Sequence, residues 1–315
     1  ELKEHCENAI ADIESSVPTD LQLLLTELFN RRGVLRVESI LASKRRTELI
    51  LEQRSYLKNT FPKKKAEDFV DALYRLLFNL DSTTCESSYE IEQRLRGKRL
   101  ELSEIVYDYL KETEITEQQT KQFFTSITQI YPLLLCDARA ILGNDPAAQN
   151  LEEVYMSYPG FYAIAIHRLA HQLWQQGLKL LARVWSEYAH SRTGIDIHPA
   201  AQIGKNFCID HGTGIVIGET CVIGDNVKIY QGVTLGALSV TKDKMNTDRH
   251  PKIGDNVVIY SGATILGNSQ IGHDSTIGGN VWLTESIEPY TVIYYKSEMI
   301  TKQKNLSPEP IFFHI

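Results

Sequence analysis

The run IHPAAQIGKNFCI, residues 197–209, followed by IGETCVIGDNVKIYQGVTL, residues 217–235, decides the fold. Ile197, Ile203 and Ile209 recur at every sixth residue, as do Ile217, Ile223, Ile229 and Leu235. After an interval the rhythm resumes at Ile253, Ile259, Ile265, Ile271, Ile277 and Leu283. A helix at 3.6 residues per turn would scatter such a set around its whole circumference. Two strand residues and a corner, repeated, keep it on one inner surface, and the Gly that often follows the aliphatic residue eases the bend. Repeats of this length imply a parallel β-helix whose coils bury their faces only by stacking on one another. Ordinary sandwich strands would recur at roughly 8–12 residues instead.

The amino-terminal part reads as helical to about residue 193. Leu21 to Phe29, Val37 to Tyr56, Asp68 to Phe78 and Ile91 to Tyr109 carry apolar residues at helical spacing. Lys63 to Lys65 reads as a solvated helix start, and Thr116 with Gln119 as a capping box. Asp145-Pro146 has the form of an N-cap with proline at the first helical position. A periodic helix runs from Phe161 to Gln176 and carries His167 and His171 on one face; without a zincin's glutamate they read as packing residues. From Gly194 the helical period vanishes. The expected architecture is α+β: a helical domain over residues 1–193, a β-helix over 194–292 and a tail over 293–315 ending in Ile311-Phe312-Phe313-His314-Ile315.

A net charge of −7, with 43% hydrophobic and 23% charged residues, argues against nucleic-acid and anionic-membrane partners. No apolar run approaches the roughly 18 residues of a membrane span, and Glu1 to His5 lack signal-peptide form. The five cysteines, Cys6, Cys85, Cys136, Cys208 and Cys221, are odd in number and form no Cys-x-x-Cys, so a reduced, cytoplasmic chain without a cysteine metal site is expected. Cys221 should point inward as a small hydrophobe, and Cys208 outward on its strand.

Irregularities in a solenoid are where sites form. The step from Ile209 to Ile217 is eight residues and carries Asp210, His211, Gly212 and Gly214. That from Leu235 to Ile253 is eighteen, one full coil by count, and carries Asp248-Arg249-His250-Pro251 as an extruded loop. Asp196 precedes His211 by fifteen residues, a separation that adjacent coils of about eighteen could close into an acid–base dyad.

These residues resemble one family. Asp145-Pro146-Ala147, Gly160-Phe161, Asp196-Ile197-His198-Pro199-Ala200, Asp210-His211-Gly212-Thr213-Gly214, Gly218-Glu219-Thr220, Gln231 to Gly236 and Asp248 to Lys252 match, in order and interval, the serine O-acetyltransferases of cysteine biosynthesis. The resemblance spans roughly residues 137 to 285 and implies a left-handed β-helix, assembly as trimers or hexamers, and active sites between neighbouring β-helices. It gives His211 as general base with Asp196 orienting it, Asp145 and Asp210 facing the L-serine ammonium, and Arg249 and His250 facing the carboxylate. Acetyl-CoA is the implied co-substrate, with no permanently bound cofactor and no metal. Its arm is expected near Ala237, Ser261, Gly262 and Gly279, with Lys252, Lys242 and Lys244 toward the phosphates. L-Cysteine is the expected feedback inhibitor, and Ile315 the expected contact with O-acetylserine sulfhydrylase.

The sequence departs from the family at Ala237, which stands in place of a common glycine, and at Tyr294-Tyr295-Lys296, which replaces a Gly-x-Pro-Ala segment. Three other readings of the fold compete: acetylation of a sugar amine or homoserine, a γ-type carbonic anhydrase, and a non-catalytic scaffold. Two acids with an arginine suit an amino acid better than a sugar, and the coils lack the closely spaced histidines that a zinc enzyme needs.

Overall fold

The computed structural model describes residues 44, 45, 47–49, 51, 61–81, 87–238 and 248–296. The chain divides into two compact units, Glu1–Thr60 and Phe61–Ile315. The segment expected as helix from Leu21 to Phe29, together with Cys6, Cys85, Lys242, Lys244 and Ile315, lies outside the described residues. Within Val37 to Tyr56 the described positions are helical.

Six helices lead to the coils among the described residues of the second unit: α1 (Lys63–Leu77), α2 (Ser88–Leu110), α3 (Thr113–Asn144), α4 (Leu151–Ser157), α5 (Pro159–Gln175) and α6 (Lys179–Thr193). The first opens at the lysine run and buries Ala66, Phe69, Val70 and Leu73, one helical stripe. A true capping box opens α2, where Ser87 Oγ accepts from Glu90 N and Glu90 Oε2 accepts from Ser87 N. The Thr116 capping box expected from sequence does not form. By Thr116 the helix is already under way, and the hydroxyl donates back to Glu112 O at 2.6 Å.

Asp145-Pro146 ends a helix rather than starting one. Proline disfavours helical backbone at the preceding residue; Asp145 is extended (φ −110°, ψ 108°) and is the C-cap of α3. Its Oδ1 accepts from Ala147 N at 2.8 Å in a local turn. The N-cap of α4 is Asn150, which accepts from Glu153 N. Gly194, at φ 69°, terminates α6 and hands the chain to the first coil.

The coils form three parallel sheets. The first face stacks β1 (Asp196–Ile197), β4 (Val216–Ile217), β7 (Thr234–Gly236), β10 (Thr264–Leu266) and β13 (Trp282–Leu283). The second stacks β2 (Gln202–Ile203), β5 (Val222–Ile223), β8 (Lys252–Ile253) and β11 (Gln270–Ile271). The third stacks β3 (Cys208–Asp210), β6 (Lys228–Tyr230), β9 (Val258–Ile259), β12 (Thr276–Ile277) and β14 (Val292–Ile293). Each repeat aliphatic sits on its counterpart one coil away, Ile197 on Ile217 and Ile209 on Ile229.

Register corrects the reading of the long step. Leu235 lies on the first face and Ile253 on the second, so the eighteen residues between them advance the chain by one face, not one coil. Leu235 stacks on Ile265, thirty residues on. The loop is therefore twelve residues added at a corner to an eighteen-residue coil. The eight-residue step likewise adds two residues at another corner, giving the twenty-residue spacing of Ile203 and Ile223.

The corner between the second and third faces is pinned by side chains. Asn206, Asn226 and Asn256 adopt left-handed φ of 58° each, and Asp274 one of 55°. Asn206 Nδ2 donates to Asn226 Oδ1 (2.7 Å), Asn226 Nδ2 to Asn256 Oδ1 (2.9 Å) and Asn256 Nδ2 to Asp274 Oδ1 (3.0 Å).

Helices and coils share one core. Gly160 of α5 touches the first coil so closely that a Cβ would lie 2.5 Å from Ile209 O. Because α3 and α5 pack on β3, Cys208 points outward on its strand yet is buried, and burial pushes its thiol up to about 12. Cys221 is buried inward, as its position predicts, and its thiol is likewise raised to about 12 by burial. Buried Asp137 of α3 binds Arg168 of α5 at 2.5 and 2.9 Å and accepts from Phe207 N, while Arg168 donates to Ile203 O and Gly204 O. His171 is committed to Pro199 O and Gln175, and its ring centroid lies 5.7 Å from that of buried His167.

Candidate active site

The two inserted residues lengthen the corner between the third and first faces, and this corner carries His211. The residue closes β3 with φ 60°, unusual for a side chain with a Cβ. Gly212 follows at φ 93°, where a Cβ would lie 2.5 Å from Ile195 Cδ1. The imidazole consequently stands out of the stack, 75% exposed, with Nε2 3.8 Å from Asp210 Oδ1.

Two carboxylates lie in its surroundings. Asp210 ends β3 and pairs through Oδ2 with Lys228 Nζ at 3.1 Å. Asp145 reaches the same place from the end of α3, and Tyr158 Oη donates to its Oδ2 at 2.6 Å. That hydroxyl holds the Asp145 carboxyl below its ordinary value, helped by Ala147 N and by the Lys228 and His211 charges. The same bond pushes the Tyr158 phenol up to about 12.

Asp196 is placed differently. It begins β1, in register with Val216. Burial raises its carboxyl, His190 and Arg183 draw it down, and Glu187 raises it further. Among the described residues the carboxylate within 4 Å of the His211 ring is that of Asp210, and Asp196 makes no ion pair with it.

A second group occupies the corner between the first and second faces, organised by Thr220. Its hydroxyl accepts from Arg249 N (3.0 Å) and His250 N (3.2 Å), its backbone N donates to His250 Nδ1 (3.1 Å), and its carbonyl accepts from Lys252 Nζ (2.9 Å). Arg249 pairs with Glu219. The His250 ring lies over Gly218, where a Cβ would fall 2.0 Å from its Cδ2. Burial, then the Arg249 charge, lowers the His250 pKa, so the ring is neutral and its Nδ1 accepts.

The positions expected for acetyl-CoA separate. Ser261, Gly262 and Gly279 stack at the corner that carries His211: Gly232 N donates to Thr213 O, Gly262 N to Gln231 O and Asn280 N to Ser261 O. Gly214, Gly232 and Gly262 have φ of 80°, 72° and 71°, so over these three coils the edge carries no side chain at this position; Asn280, at φ 57°, takes it on the next coil and sets its Oδ1 2.4 Å from where a Cβ on Gly262 would lie. Ala237 and Lys252 lie at the other corner, where Lys252 also pairs with Asp248 at 3.2 Å. Thus Asp145, Asp210 and His211 flank the first face on one side, and Arg249 and His250 flank it on the other.

Residues 250–285 match the family model described as bacterial transferase hexapeptide (six repeats). The plasmid serine acetyltransferase of Synechococcus elongatus is 57% identical over 173 residues, covering 53% of this chain and 54% of its own length. This chain thus spans about half of that relative. The serine acetyltransferase of Mycobacterium tuberculosis is 46% identical over 172 residues, 55% of this chain and 73% of its own. This chain belongs to the serine acetyltransferase family. Among solved structures, Entamoeba histolytica serine acetyltransferase isoform 3 in complex with cysteine superposes with a TM-score of 0.67 at 35% identity, covering 79% of this chain and 86% of that one. A serine acetyltransferase in complex with CoA gives 0.50 at 35%, covering 62% and 80%.

Three residues that hold these groups in place escape the sequence reading: Tyr158, Thr220 and Lys228. Thr220 lies within a matched motif but gains no role there. Lys228 is findable once the coil is known to be twenty residues, since Cys208 pairs with Lys228 and Asp210 with Tyr230.

Proposed function

We propose that this chain transfers the acetyl group of acetyl-CoA to the L-serine hydroxyl, with His211 as general base. Family membership supports the reaction. The observation that carries the assignment of roles is the convergence of Asp145 and Asp210 beside an outstanding imidazole, at the head of a glycine-lined edge. The substrate ammonium lies against the two carboxylates, which leaves its hydroxyl near His211. His211 takes the hydroxyl proton as the oxygen attacks the thioester carbon. The tetrahedral oxyanion then collapses, the C–S bond breaks, and the proton passes to the departing CoA sulfur. The pantetheine arm runs along the edge formed by Gly232, Ser261, Gly262 and Gly279. Asp196 orients His211 by closing a separation that exceeds hydrogen-bond reach in the free chain, as acid–base pairs tighten in reacting complexes.

Arg249 and His250 of a neighbouring subunit face the substrate carboxylate. A trimer of left-handed β-helices would bring that corner against the corner bearing His211, which fits the separation of the two groups within one chain. Cysteine, differing from serine by sulfur for oxygen, competes for the same place and supplies feedback inhibition, in keeping with the cysteine complex of the Entamoeba relative. Docking of Ile315 to O-acetylserine sulfhydrylase completes the reading. No helix among the described residues is long and apolar enough to cross a membrane, and a cytoplasmic location is proposed with the function.

The test is release of free CoA thiol from acetyl-CoA with serine, glucosamine and homoserine in parallel. Serine should be preferred; turnover with glucosamine but not serine overturns the acceptor assignment. His211→Ala should lower kcat by about 10²-fold or more, and a rate near that of the parent protein removes His211 from the mechanism.

A further inference from the structure

Lys228 lies between two elements that each bring one carboxylate to the site. Its Nζ is 3.1 Å from Asp210 Oδ2 on the neighbouring strand and donates at 3.0 Å to Asn144 O, the last residue of α3. Asn144 immediately precedes Asp145. One ammonium therefore ties the segment bearing Asp145 to the strand that bears Asp210 and continues into His211. The side chain is 12% exposed and stands over the Tyr230 ring, 4.7 Å from its centroid. Burial alone would lower the Lys228 pKa, but its bonds to Tyr230 and Asp210 outweigh that, so it stays charged. Tyr158 at the amino end of α5 in turn fixes Asp145 Oδ2.

We propose that Lys228 and Tyr158 are positioning residues that set the spacing and net charge of the carboxylate pair, making it a receptor for a single ammonium group. This rests on the assignment of Asp145 and Asp210 to the substrate ammonium. Two carboxylates carry −2, and Lys228 reduces the group to −1, which one ammonium neutralises. The Lys228 contacts to Asn144 O and Asp210 fix how far apart the acids stand. Their remaining oxygen surface is what an incoming amine meets.

Lys228→Met, Lys228→Arg and Tyr158→Phe, assayed by CoA-thiol release across pH, test this. Losing a charge-assisted bond should raise the serine KM of Lys228→Met about tenfold while kcat moves far less. The acetyl-CoA KM should hold, and Lys228→Arg should restore most of the affinity. Asp145 must be ionised to hold an ammonium. Tyr158 at the amino end of α5 and Lys228 on β6 favour that form, as does His211 after β3, while burial opposes it; Glu153 on α4 and Asp210 are the other acids around Tyr158. The acid limb of kcat/KM for serine should therefore move to higher pH in Lys228→Met and in Tyr158→Phe. Tyr158→Phe removes a single hydroxyl and gives this readout even if the lysine variant folds poorly. Serine KM and acid limb unchanged in both variants overturn the proposal. An unsubstituted protein that releases no CoA with serine removes the reading beneath it as well, a distinct outcome.

Discussion

Thr220 shows how much of a site one small side chain can organise. Its hydroxyl, amide and carbonyl hold Arg249, His250 and Lys252 in place across thirty residues of sequence. Thr220→Val keeps the shape and removes the hydroxyl, leaving two backbone N–H groups without their acceptor at about 1–3 kcal/mol. Serine KM should rise more than tenfold with acetyl-CoA KM little altered, read by initial rates against each substrate. Gly218→Ala should act on the same ring by another route. The added methyl would fall 2.0 Å from His250 Cδ2, so the imidazole must leave its seat.

Elements were legible to different degrees, and the reasons are physical. The six-residue period was visible because burial of the repeat aliphatics recurs along three faces. Residue counting alone misassigned the long step, since eighteen residues describe either a coil or one face with a twelve-residue excursion, and only stacking distinguishes them. Asp145-Pro146 misled because the same pair can open a helix or end one; here the preceding α3 decided. The Asp210–His211 corner was marked by its odd step, whereas Lys228 and Tyr158 act across elements and leave no periodic trace. The asparagine ladder permits a stability prediction at this scale. Asn226→Ala deletes two ladder bonds and places alanine at φ 58°. It should cost roughly 1–3 kcal/mol, seen as a lower midpoint in thermal denaturation with serine turnover preserved below that midpoint.

Across the whole molecule, the two groups proposed to form the site lie on opposite margins of one face. If neighbouring copies complete each other, His211→Ala and Arg249→Ala chains, each nearly inactive, should regain activity when co-assembled. About a quarter of the interfaces in a statistical mixture of cyclic oligomers would then pair two intact margins. Serine turnover measured before and after mixing decides it, and no recovery would place the whole site within one chain. The Asp137–Arg168 pair joins α3 and α5 to the first coil from inside the core. Asp137→Ala should therefore destabilise by about 3–5 kcal/mol, because it strands a buried guanidinium, a loss read by urea denaturation.

Apart from the thirty-residue coil that carries the loop, the coils also grow shorter along the stack. Partners lie twenty residues apart at Ile197 and Ile217, eighteen at Ile265 and Leu283, and sixteen at Ile277 and Ile293. The first coil is covered by α3 and α5 on β3 and by α6 on β1, and the last coil loses its two residues between Leu283 and Ile287. Head-to-tail growth into a fibre would have to displace those helices from β1 and β3, so the helical packing guards the strands of the first coil against further pairing.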